Sequence, residues 1–68
     1  MFGLSDFFGD VRNYYVQFQD NSGWRTCITM SASNGAERVY LEMQEAQRSY
    51  PGYRIRVIDD SGRLVDML

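Results

Sequence analysis

The sequence contains no histidine and no lysine, a single cysteine and a single proline. Without histidine, neither a Ser-His nor a Cys-His nucleophile can be built, and a zinc site of the usual ligand type cannot be assembled. Cys27 alone cannot close an internal disulfide. It falls in an alternating segment with no nearby base or helix terminus to lower its pKa, so it reads as a small half-buried residue rather than a nucleophile. Long apolar runs are also missing. No stretch approaches the ~20 residues needed to span a bilayer, and the first residues lack the basic start and apolar run of a signal peptide. These absences predict a non-enzymatic protein with no cofactor and no metal. The free cysteine suits a reducing compartment, which makes a cytoplasmic location the expectation. Chains of this length are common in phage and bacterial genomes, and size alone suggests such an origin.

At 68 residues there is room for one domain with one small core, because chains of this size bury only about 60% of their unfolded surface. With no disulfide or metal as a staple, stability must come from packing or self-association. The formal charge of −2 and a pI near 4.8 argue against holding nucleic acid by bulk positive charge, which would need clustered cations. All seven basic residues are arginine. Arginine supplies forked, stacking cations, although a biased codon usage produces the same count.

What the chain does contain is a repeat. Tyr14-Tyr-Val-Gln-Phe-Gln-Asp-Asn-Ser-Gly23 and Tyr53-Arg-Ile-Arg-Val-Ile-Asp-Asp-Ser-Gly62 align at an offset of 39 residues, and each ends in Asp-x-Ser-Gly. Period-two alternation running into such a turn predicts one β-hairpin design used twice. A three-residue loop with its glycine left-handed suits both turns. In the first hairpin this pairs Asp20 with Trp24, Phe18 with Thr26, Val16 with Ile28 and Tyr14 with Met30 on an apolar face. Tyr15, Gln17, Gln19, Arg25, Cys27 and Thr29 then fall on the other face. In the second, Asp59 pairs with Arg63, Val57 with Val65 and Ile55 with Met67 on the apolar face. Opposite, Ile58 meets Leu64, Arg56 meets Asp66, and Arg54 lies beside Leu68.

Between the hairpins, Ser31-Ala-Ser-Asn-Gly breaks the alternation and leads into a helix, with Asn34 and Glu37 spaced as a capping pair. Ala36, Val39, Tyr40, Met43, Ala46 and Tyr50 make one apolar stripe, and Pro51 ends it because the residue before proline is pushed out of helical geometry. The first residues carry Phe2, Leu4, Phe7, Phe8 and Val11 at roughly helical spacing. They predict a short amphipathic segment over residues 1–12 that packs on the domain. Asp6 and Asp10 on its polar side disfavour a lipid anchor. The expected fold is α+β: a single ββαββ domain over residues 13–68, with a four-stranded antiparallel sheet in the order second, first, third, fourth and one helix on one face.

Chemistry finds few parts in this frame. The pair Asp59-Asp60 reads as turn formation, since Asp at these positions bonds its own backbone, and Asp20 occupies the matching place. Ser33-Asn-Gly-Ala at the helix start has no phosphate-loop pattern. The constellation left is the sheet face away from the helix. Ile58, Leu64 and Leu68 flanked by Arg54 and Arg56 resemble an interface centre with a polar rim, which predicts a protein-protein or assembly module, most simply a homodimer through that face or an edge strand. The alternative places Tyr15, Arg25, Arg54 and Arg56 on that face as rings and cations for a single-stranded nucleic acid.

Overall fold

The alternation builds β1, Asn13–Asp20, and β2, Gly23–Ser31; its second copy builds β3, Ile55–Asp59, and β4, Leu64–Met67. The helix, α1, runs over Gly35–Ser49. A computed structural model describes residues 11–68. All strand pairs are antiparallel, in the order β2-β1-β3-β4, with the first strands of the two hairpins at the centre. The fold is the expected ββαββ arrangement. The helical segment expected over residues 1–12 lies outside the described residues except for Val11 and Arg12, which lead irregularly into β1.

Helix entry differs from the capping pair expected. Ser31 keeps an extended backbone, and its Oγ accepts a bond from the Ser33 N–H at 3.3 Å, so it caps a short 3-10 turn over Ala32–Asn34. Asn34 is itself already helical and makes no side-chain cap; its Nδ2 donates to the Ser31 carbonyl at 3.1 Å. Cap chemistry therefore acts one turn earlier than the Asn34/Glu37 spacing suggests. At the other end the chain leaves the helix at Tyr50, before Pro51, and the Tyr50 N–H closes the last turn on the Ala46 carbonyl at 2.8 Å.

Val39, Met43 and Ala46 of α1 are buried with Val16, Met30, Ile55 and Val57 of the sheet. Tyr50 continues this line by stacking on Phe18, with ring centroids 3.9 Å apart, while Tyr53 meets both rings edge-on. Tyr40, expected in the core, is 49% exposed, and Ala36 is exposed too. One residue advances ~100° around a helix, so Tyr40 sits well off the line through Val39 and Met43. Its hydroxyl accepts a bond from Gln44 Nε2 at 2.9 Å at the surface. The sheet explains why only the central line is covered. Four strands span ~14 Å and a helix is ~10 Å wide. Packed chiefly on β1 and β3, α1 leaves β4 bare on both sides, and all four β4 residues are exposed.

Both glycines of the shared turn have positive φ, +119° at Gly23 and +84° at Gly62. The turns nevertheless diverge. The second has the expected three-residue loop, with the Asp59 N–H bonded to the Arg63 carbonyl at 3.0 Å. The first is a two-residue turn, Asn21-Ser22, with Asp20 Oδ1 accepting from the Ser22 N–H at 2.7 Å and Gly23 drawn into β2 opposite Asp20. Phe18 therefore pairs with Arg25, and Gln17 with Thr26, until a bulge at Cys27 restores the expected Val16–Ile28 and Tyr14–Met30 pairs. Because side chains alternate with period two, a one-residue slip exchanges the faces. Trp24 and Thr26 move to the open face, while Arg25 and Cys27 move to the helix side. A matching bulge at Val65 follows the expected Ile58–Leu64 pair. Beyond it Val57 pairs with Asp66 instead of Val65, and Arg56 with Met67 instead of Asp66.

Candidate functional site

The open face is built of three rows that cross the sheet. The first reads Thr29, Tyr15, Ile58, Leu64; the second reads Thr26, Gln17, Arg56, Met67. The third holds Trp24, Gln19 and Arg54, the last placed opposite Gln19 by the bond from the Gln19 N–H to the Arg54 carbonyl at 3.0 Å.

The second and third rows are tied together by side chains. Arg56 Nε donates to Gln17 Oε1 at 2.8 Å, and Gln17 Nε2 donates to Thr26 Oγ1 at 3.0 Å. The Arg56 guanidinium lies 4.2 Å from the centre of the Trp24 ring, within cation-π range. This lattice buries Gln17, and every buried side-chain N and O among the described residues has a partner. Arg54 Nη2 approaches Met67 Sδ at 3.6 Å. Neither Arg54 nor Arg56 has a carboxylate partner among the described residues, whereas Arg25, Arg38 and Arg48 pair with Asp20, Glu42 and Glu45.

At the edge of the first row, Asp60 gathers the start of β1. Its Oδ2 accepts from the Arg12 and Asn13 N–H groups at 2.8 and 3.1 Å, and its Oδ1 from the Tyr15 hydroxyl at 2.7 Å. The Tyr15 bond, with those from Arg12 and Asn13, holds the Asp60 carboxyl below its usual range. The same bond, to a carboxylate, pushes the Tyr15 hydroxyl up. Turn formation, expected of both acids, is the work of Asp59 alone. Asp59 Oδ1 accepts from Ser61 Oγ, the Ser61 N–H and the Arg63 N–H at 2.6 to 3.0 Å.

Of the residues predicted for an interface, Ile58, Leu64, Arg54 and Arg56 share this face. Leu68 does not. Its N–H bonds to the Ile55 carbonyl at 3.0 Å, which places it opposite a core residue on the helix side. Met67 takes the position expected of Asp66. Of the predicted nucleic-acid set, Tyr15, Arg54 and Arg56 are together, but Arg25 lies on the other side of the sheet in an ion pair with Asp20. Trp24 and Met67 are the residues that sequence reasoning missed, Trp24 re-faced by the shorter turn and Met67 by the Val65 bulge.

Cys27 is half-buried, with its thiol donating to the Val16 carbonyl at 3.4 Å, and burial pushes its pKa up. Among the described residues no three Cys, Asp or Glu side chains cluster in a way that would hold a metal ion, and no helix is long and apolar enough to cross a membrane. The chain matches no protein-family model, and no curated protein or solved structure is similar to it.

Proposed function

We propose that this chain is a non-enzymatic interaction module that pairs with a second copy of itself across the open sheet face at its β3–β4 end, acting as an assembly or accessory factor in the cytoplasm. The observation that carries this reading is Leu64, an aliphatic side chain 52% exposed opposite Ile58, with Met67 on the same face. An apolar centre bordered by Arg54, Arg56 and Tyr15 fits the anatomy of a protein contact. A twofold axis near Ile58 and Leu64 brings the apolar residues of two copies together and carries the like-charged arginines apart.

Edge pairing through β4 is the weaker route. The Leu68 N–H and the Arg63 carbonyl are directed inward to β3, bonding the Ile55 carbonyl and the Asp59 N–H, so the backbone groups of Leu64 and Met67 point outward. The Val65 bulge spaces these two residues irregularly, and Asp66 Oδ1 already accepts from the Met67 N–H at 2.8 Å. A bulge and an edge charge are the features that discourage strand addition.

A second reading follows from the short Asn21-Ser22 turn, which adds Trp24 to Tyr15, Arg54 and Arg56 on one face. Rings beside arginines that have no carboxylate partner among the described residues suit single-stranded nucleic acid on an open sheet. Arg56, however, is already stacked and hydrogen-bonded within the chain.

Light scattering across a salt series, with and without a single-stranded oligonucleotide, separates the two. A dimer insensitive to salt and indifferent to oligonucleotide is expected, with Ile58→Ser/Leu64→Ser monomeric and still folded. A parent that is monomeric at every concentration overturns self-association. If that monomer gains mass with oligonucleotide only at low salt, the second reading replaces the first.

A further inference from the structure

Among the described residues the sulfur atoms differ sharply in access. Met43 is fully buried and Met30 is 8% exposed, whereas Met67 is 37% exposed on the open face. Cys27 is a poor competitor for an oxidant, because its raised pKa keeps it a thiol and the thiolate is the reactive form. A thioether has no proton to lose, so its oxidation depends chiefly on whether an oxidant can reach it.

The neighbour of that sulfur matters as much as its exposure. Arg54 Nη2 lies 3.6 Å from Met67 Sδ, and Arg54 has no carboxylate partner among the described residues. A thioether is a weak acceptor. A sulfoxide oxygen at the same place is polar and bonds well to a guanidinium.

We propose that Met67 is the oxidation site of this surface: hydrogen peroxide converts its thioether to a sulfoxide whose oxygen is held by Arg54, and the apolar patch at the β3–β4 end of the open face becomes polar. A lone pair on Sδ attacks one peroxide oxygen, the O–O bond breaks and an S–O bond forms. Sulfur loses two electrons; the second peroxide oxygen accepts them and leaves with both protons as water. The consequence for assembly rests on the self-association reading. In a dimer Met67 is covered, so the separated copy is the one oxidised, and its sulfoxide keeps it separate. A sulfoxide reductase restores the apolar patch: two thiols of the enzyme supply two electrons and two protons, the oxygen leaves as water, and the thiols become a disulfide.

Tryptic digestion resolves the question, because cleavage after arginine places Met30, Met43 and Met67 on separate peptides, 26–38, 39–48 and 64–68. Folded protein at low concentration, treated with peroxide, should form sulfoxide at Met67 about tenfold faster than at Met30 or Met43, with the difference lost in urea. Comparable rates in the folded protein overturn the site. Oxidation should also shift the Arg54 side-chain N–H resonances, with no shift in Met67→Leu; an unmoved Arg54 removes it as the holding group. Light scattering then reads the consequence separately. Peroxide should dissociate the parent and leave Met67→Leu associated. A dimer that persists with Met67 oxidised overturns the switch, whereas a parent monomeric before any peroxide overturns self-association and leaves the oxidation map to stand or fall on its own.

Discussion

Met43→Ala isolates the contribution of the core beneath α1. Met43 is the largest of the fully buried side chains, and it sits at the middle of the Val39, Met43, Ala46 line that meets Val16, Ile55 and Val57. Removing its thioether end takes away the transfer free energy of three heavy atoms and leaves a cavity, which for buried Met→Ala together costs about 2–5 kcal/mol. A chain of 68 residues has about 3–10 kcal/mol of total stability at the usual ~0.05–0.15 kcal/mol per residue. The substitution therefore consumes a large share of the whole. With a urea slope of about 1 kcal/mol/M for so small a domain, the unfolding midpoint should fall by about 2 M or more, measured by circular dichroism. Tyr40→Ala, one turn earlier and half exposed, is the internal control and should change stability by less than about 0.5 kcal/mol. Equal midpoints for the two variants would refute the placement of α1 on the sheet.

Gly62→Ala should destabilise by about 1–2 kcal/mol through backbone conformation alone, since an added Cβ at its φ of +84° meets no atom within 4 Å; Gly62→Asn should recover part of the loss, and equal melting temperatures for all three proteins would contradict the left-handed turn. Acid should weaken the fold through Asp20, Asp59 and Asp60, whose carboxyls are all held below their usual range. The leading causes are the Ser22 N–H, the Ser61 hydroxyl and the Tyr15 hydroxyl respectively. Their stabilisation is complete above the unfolded carboxylate range near pH ~4 and is lost as pH falls through the lower folded values. Melting temperature followed over that window should show a shallower decline in Asp60→Asn than in the parent, and an unchanged decline would refute the clasp on Arg12, Asn13 and Tyr15.

The sequence made the strands, the helix, their order and both left-handed glycines legible, because period-two alternation, a 3-4 stripe and a repeated turn each leave a pattern. The faces of the outer strands were legible only in part. In Leu64-Val-Asp-Met-Leu68 apolar residues occupy both parities, so no pattern chooses which of Met67 and Leu68 meets the open face. Gly23 to Cys27 is similar: Trp24 and Thr26 alternate as well toward one side as the other, and the choice fell to a turn one residue shorter than expected. Tyr40 belonged to the stripe by spacing but not by geometry, since stripe width is set by how much sheet lies beneath it. Asp60 looked like a turn residue beside Asp59, and its partners Arg12, Asn13 and Tyr15 are far away in sequence.

The bulges at Cys27 and Val65 each divide an outer strand into two parts whose facing is set separately, one by the turn and one by the core. Within such a strand a single-residue deletion is not simply damage. Removing Cys27 would let β2 continue in one register with Trp24 still opposite Gln19 and Arg25 opposite Phe18, whereas drawing Gly23 out of the strand into a three-residue loop would absorb the bulge and exchange Trp24 with Arg25 between the two surfaces, while β1 and β3 at the centre keep theirs. The repeated hairpin is thus a scaffold whose outer half is re-faced when one residue passes between turn and strand, with the bulge taking up the difference. Two copies of one hairpin pattern in this way display a tryptophan on one outer strand and a methionine on the other without redesigning the core between them.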